Sequence, residues 1–129
     1  MDRTTVTMKV PATAGYLALL RTVVGGCAGR EGYTLDQIDD VKMAVDEAAS
    51  QLLRHARGAH LVLDATSDVD RLEVRVATEV VDGAAVLDRD SFSWTILRAL
   101  TDALDVERDG ATTTVLLRKD RLAAEREGA

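Results

Sequence analysis

Cysteine and proline each occur once in these 129 residues, and aromatic side chains number four in all. A lone cysteine, Cys27, excludes an internal disulfide, and its neighbours Val23, Val24 and Ala28 mark it as a small packed side chain rather than a nucleophile. Basic residues are also in deficit, 16 against 22 acidic, for a net charge of −6. That balance excludes the broad electropositive face that nucleic-acid phosphates require, so direct nucleic-acid binding is not expected. No apolar run is long enough to cross a bilayer, and Met1 to Val10 alternate polar and apolar residues instead of forming a hydrophobic leader. A soluble, cytoplasmic protein without membrane contact is the expectation. Internal repeats and low-complexity tracts are lacking too. What is present is a 47% apolar chain long enough for one core and too short for two, which directs attention to one site or one surface.

Val6, Met8 and Val10 alternate with Thr7 and Lys9, the period of a half-buried strand, and Pro11 ends it. Tyr16, Leu17, Leu20, Val23, Val24 and Cys27 then recur at helical spacing, with Gly25, Gly26, Gly29 and Gly32 expected to fray that helix. Thr34 stands three residues before Gln37, the spacing of a reciprocal capping box, and Gly58 is placed to close the long helix that follows. Its apolar stripe is Leu35, Ile38, Val41, Val45, Ala48, Leu52 and Ala56, whereas Met43, Glu47, Ser50, Gln51 and Arg54 share another side, where chemistry can be carried. Leu61, Leu63 and Ala65, then Leu72, Val74 and Val76, read as an antiparallel hairpin joined through Thr66 to Arg71. Thr78 to Asp90 is aperiodic. Ser91 caps a third helix with Phe92, Ile96, Leu97, Leu100 and Leu104 at helical spacing, and Phe92 and Trp94 are assigned to core packing, the alternative being that either fills a vacated cavity. A last hairpin turns at Asp109-Gly110 between Val106 and the alternating Thr113, Val115 and Leu117, before a charged, frayed tail over 120–129. Five strands and three helices in this order predict a single α/β (α+β) domain over 1–119, a two-layer sandwich with the helices on one face of the sheet.

The run Ala44-Val45-Asp46-Glu47-Ala48-Ala49-Ser50-Gln51, followed by His55, resembles the first nucleotide-site box of the RsbW-like anti-sigma-factor serine kinases. A second match runs from Ser91-Phe92-Ser93-Trp94-Thr95-Ile96-Leu97 through Thr101-Asp102 to Leu116-Leu117-Arg118-Lys119, and the Ser-Phe-Ser-Trp portion resembles a divergent actinobacterial branch. The resemblance covers nearly the whole chain. It implies the histidine-kinase-like ATPase (Bergerat) fold, with a mixed, mainly antiparallel sheet.

The same resemblance assigns roles. Glu47 takes the position of the general base that accepts a proton from the serine of a STAS-type anti-anti-sigma protein; without the family it reads as a solvated helix acid. Gln51 stands where an asparagine would hold magnesium, Ser91 and Ser93 stand where a Gly-x-Gly turn would let phosphate reach the amides of a helix start, and Thr113 is a further nucleotide-site position. In Val76-Ala77-Thr78-Glu79-Val80-Val81-Asp82-Gly83 no acid falls in register to bind an adenine amino group, and only a rebuilt loop would let Glu79 or Asp82 substitute. A hydrogen bond to a charged acceptor contributes about 1.5–3 kcal/mol, so with these departures ATP and magnesium binding is expected to be weak or absent. Arg21 matches an arginine that contacts both the sigma factor and its anti-anti-sigma competitor, a task suited to a planar guanidinium; otherwise it is an ordinary solvent-facing arginine. The implied function is an anti-sigma factor that sequesters an alternative sigma factor of the stress or sporulation type. The alternatives are an active serine kinase of its antagonist, or an adaptor that binds STAS proteins only. A homodimer through the first strand and helix, with Val6, Met8, Val10 and Leu17, is also implied.

Overall fold

The computed structural model describes residues 3–121. Its strands are β1 (Thr4–Pro11), β2 (His60–Ser67), β3 (Arg71–Glu79), β4 (Ala103–Asp109) and β5 (Thr112–Asp120), and its helices α1 (Leu17–Arg30), α2 (Leu35–Leu53) and α3 (Phe92–Leu100). The sheet order is β1-β2-β3-β5-β4. Every pairing among these strands is antiparallel, so the expected mixed sheet is replaced by a uniform one. The physical reason is local: β2–β3 and β4–β5 are hairpins, and hairpins impose antiparallel pairing.

Alternation places one face of the sheet against the helices. Leu61, Leu63 and Ala65 of β2, Leu72, Val74 and Val76 of β3, and Val115 and Leu117 of β5 are buried with Val41, Val45, Ala48 and Leu52 of α2 in one core. α2 lies at the centre of the helical layer, against α1, α3, β3 and β5. Its start is the capping box expected from sequence: Gln37 N–H donates to Thr34 Oγ1 at 3.1 Å and Thr34 N–H to Gln37 Oε1 at 3.1 Å. Gln37 is 1% exposed, and its Nε2 donates to the Asp120 carbonyl at 2.9 Å, tying α2 to the end of β5.

Several expectations are corrected. α1 does not fray at its glycines; it runs to Arg30 and buries Leu20, Val24 and Ala28. A Cβ on Gly25 would come within 3.1 Å of Lys42 Cδ, so this glycine sits where α1 faces the Lys42 side chain of α2. The helix ends at Gly32, φ +81°, with Tyr33 N–H reaching Ala28 O and Gly32 N–H reaching Gly29 O, the paired bonds of a Schellman stop. Gly58 does not close α2. That helix ends at Leu53, Ala56 forms a β-bridge with Val80, and Gly58 lies against Glu79. Leu35, expected in the apolar stripe, is 79% exposed. β3 extends through Thr78 and Glu79 into the stretch expected to be loop, and Leu104 belongs to β4 because Thr101 leaves α3 in an extended conformation. Phe92, expected in the core, is 78% exposed, because α3 buries Trp94 and Leu97 and position 92 falls on its other side. Asp120 completes β5 rather than beginning the tail, most of which (122–129) lies outside the described residues.

Candidate functional site

Helical spacing puts Glu47 and Gln51 one turn apart on α2, and α3 packs beside them. Gln51 Nε2 donates to Glu47 Oε2 at 3.1 Å and to Ser93 Oγ, in the first turn of α3, at 2.9 Å. One amide therefore joins three of the residues singled out from sequence. Ser91 is the cap of α3: its Oγ accepts from Trp94 N–H at 3.1 Å and donates to Asp88 O at 2.6 Å.

Arg21 and Glu47 open onto a groove of about 710 Å³ between α1, α2 and α3, with Met43, Ile96 and Leu100 supplying its apolar surface and Asp39, Lys42 and Asp46 its remaining charges. Arg21 forms an ion pair with Asp46, and both side chains are 38% exposed, so the guanidinium is held in place while keeping solvent access. Cys27, elsewhere on α1, is half-buried, and burial pushes its thiol up, away from the reactive thiolate.

Thr113 stands apart from the Glu47–Gln51–Ser93 cluster. It is 2% exposed on the inner face of β5, and its Oγ1 has no hydrogen-bond partner among the described residues. Directly opposite it are Thr78 on β3 and Arg108 on β4. Thr78 is satisfied, donating to His60 O at 2.7 Å. Arg108 Nη1 donates to Ala84 O at 2.9 Å and Nη2 to Val81 O at 3.4 Å, gripping the loop between β3 and α3. Sequence reasoning missed Arg108. The available signal was its register, because Leu104, Val106 and Arg108 share one face of β4.

A two-layer domain with this topology and a polar cluster between the central helix and α3 defines a histidine kinase-like ATPase domain. Residues 10–119 match the histidine kinase-like ATPase domain family, and the chain belongs to it, in its RsbW-like group. The serine-protein kinase RsbW of Bacillus subtilis (strain 168) is 41% identical over 76 residues, spanning 56% of this chain and 48% of the relative. The anti-sigma-F factor RsbW of Mycobacterium tuberculosis (strain H37Rv) is 36% identical over 108 residues, spanning 81% and 62%. The chain thus spans about half to three fifths of the length of these relatives. A crystal structure of the RsbU and RsbW domains of a Mycobacterium tuberculosis protein shares the fold, with a TM-score of 0.70 at 18% identity over 93% of this chain and 34% of that one.

Membership of this family implies ATP, usually with magnesium. In this structure the polar side chains at the corresponding positions are engaged with one another and with the backbone. Gln51 directs its amide toward Glu47 and Ser93. Ser91 covers the Trp94 amide that a phosphate at the start of α3 would use. Glu79 is exposed, and Asp82, 93% exposed, lies 3.7 Å from Arg57, so neither acid reaches the inner face near Thr113. No helix among the described residues is long and apolar enough to cross a membrane.

Proposed function

We propose that this domain sequesters an alternative sigma factor and is countered by a STAS-type anti-anti-sigma protein, and that it does so with a nucleotide site degenerate in ATP and magnesium binding. The observation that carries the reading is the shared groove: Arg21, on the neighbouring helix, opens onto the same surface as Glu47. A guanidinium already oriented by Asp46 loses little freedom on engaging a partner carboxylate, and an apolar floor beside it offers area to bury. The Mycobacterium tuberculosis relative's name, anti-sigma-F factor, gives the class of partner. Co-purification from the native cell, read by mass spectrometry, is the test; a sigma factor and a STAS protein are expected with the wild type and neither with Arg21→Glu. Recovery of STAS proteins alone would favour an adaptor, and capture by Arg21→Glu at wild-type level would remove Arg21 from the site.

The second reading is an active serine kinase, supported by Glu47, half-buried at the edge of the groove, where a carboxylate has access to a partner hydroxyl. A phosphotransfer assay with the STAS protein and magnesium–ATP, repeated with Glu47→Ala, separates the two. In the favoured reading Gln51, Ser91, Ser93 and Thr113 are vestiges of the nucleotide site. Homodimer formation through β1 and α1 completes the proposal; β1 ends the sheet with one side unpaired among the described strands, Val6 is 36% exposed, and Met8 and Leu17 are only partly buried. Light scattering after size exclusion measures that stoichiometry.

A further inference from the structure

The loop 80–91 does not stand off the body as a lid would. Val81 N–H is held by His55 O at 2.9 Å, and Ala84 N–H by Val81 O at 3.2 Å around Gly83, φ +74°. That turn aims the carbonyls of Val81 and Ala84 at Arg108, whose guanidinium donates to both and, through Nε, to Gly110 O at 3.4 Å. Beyond the turn, Val86 and Leu87 are 8% and 6% exposed and belong to the hydrophobic core. Leu87 keeps φ +57°, a conformation a leucine adopts only where its surroundings hold it there. The far end is tied as well: Arg89 lies over the Trp94 ring, 4.7 Å from its centre, and 3.8 Å from Asp105. Both ends of the loop are therefore gripped by arginine contacts that involve β4. Beside Arg108, on the same inner face, is Thr113, whose buried hydroxyl none of the described residues satisfies.

We infer that this loop is held closed by the chain itself: latched by Arg108 at one end and by Arg89 on Trp94 at the other, with Val86 and Leu87 in the hydrophobic core, it fixes the start of α3 without a nucleotide. The inference deepens the reading of a degenerate site and rests on it. In a domain so closed, the shape of the α2–α3 groove is set by covalently attached residues, and partner capture is independent of the cell's ATP level.

Hydrogen exchange read by mass spectrometry on the full chain tests the latch. Arg108→Ala is expected to raise exchange across 84–90 by at least about tenfold while the centre of α2 stays protected, with Arg108→Lys intermediate because an ammonium lacks the planar fork that donates to Ala84, Val81 and Gly110 together. Should Arg108→Ala fail to fold, Arg89→Gln frees only the far end and reports through Trp94, the single tryptophan, as a red shift in emission. Unchanged loop exchange in Arg108→Ala, or unchanged emission in Arg89→Gln, would overturn the latch. So would slowed loop exchange in the wild type on adding millimolar magnesium–ATP, because the nucleotide would then share the cleft. Failure of sigma-factor capture with the loop still protected would sink the functional reading and leave the latch standing.

Discussion

α2 carries two glutamines, and their surroundings differ in a way that separates structure from site. Gln37, in the first turn, is 1% exposed, and both ends of its amide are used, the oxygen by Thr34 N–H and the nitrogen by the Asp120 carbonyl. Gln51, in the last turn, is half-buried and spends its nitrogen on two side chains, Glu47 and Ser93. The first joins backbone to backbone through a buried side chain, tying the start of α2 to the end of β5. The second joins side chains that water can reach once the contact is lost. Helix ends of similar composition thus hold different kinds of polar contact, and only the second has the freedom that binding requires.

Substitutions can sharpen that contrast. Gln37→Leu is expected to have the largest effect, about 1–3 kcal/mol of lost stability by denaturant titration, because the bonds of a fully buried side chain to the Thr34 amide and the Asp120 carbonyl, and the capping box with them, are lost. Gln51→Leu should cost about 1 kcal/mol or less, because Glu47 and Ser93 rehydrate; a loss equal to that of Gln37→Leu would erase the distinction. Thr113→Val, near-isosteric, should be neutral or stabilise by up to about 1 kcal/mol, since it removes a buried hydroxyl that has no partner. The smallest effect is one of pH. The amides of Asp70 and Arg71 hold the Asp68 carboxyl below its ordinary value of 3.8, so its contribution is present above that pH and is lost as pH falls through the lower folded value. Stability measured from pH 5 down to 2 should therefore fall less steeply in Asp68→Asn than in the wild type.

Local signals were legible and long-range ones were not. The Thr34–Gln37 box, the Ser91 cap, the two hairpins and the alternation of β2 and β3 follow from spacings of two to four residues, and the structure bears them out. The helical spacing of Glu47 and Gln51 was equally visible. Nothing in the sequence spacing places Ser93 against Gln51, because that contact spans 42 residues and depends on how α3 docks. The glycines of α1 misled for a related reason: composition does not distinguish a glycine that breaks a helix from one inside a helix that faces another helix. Leu104 was misassigned because helical periodicity was carried past the end of a nine-residue helix, and Phe92 because it lies on the exposed side of that helix, opposite Trp94 and Leu97. The aperiodic loop after β3 gave no sign of its buried Val86 and Leu87, because the residue that holds it, Arg108, is distant in sequence.

The loop after β3 and the Glu47–Gln51–Ser93 contacts are proposed to hold this histidine kinase-like domain together in place of a nucleotide. Calorimetric titration of the wild-type protein with magnesium–ATP tests that proposal most directly. The account predicts no saturable heat at nucleotide concentrations up to about 1 mM, where a bound ligand would contribute on the order of 4 kcal/mol or more. A saturable isotherm with micromolar affinity and one nucleotide per chain would contradict it.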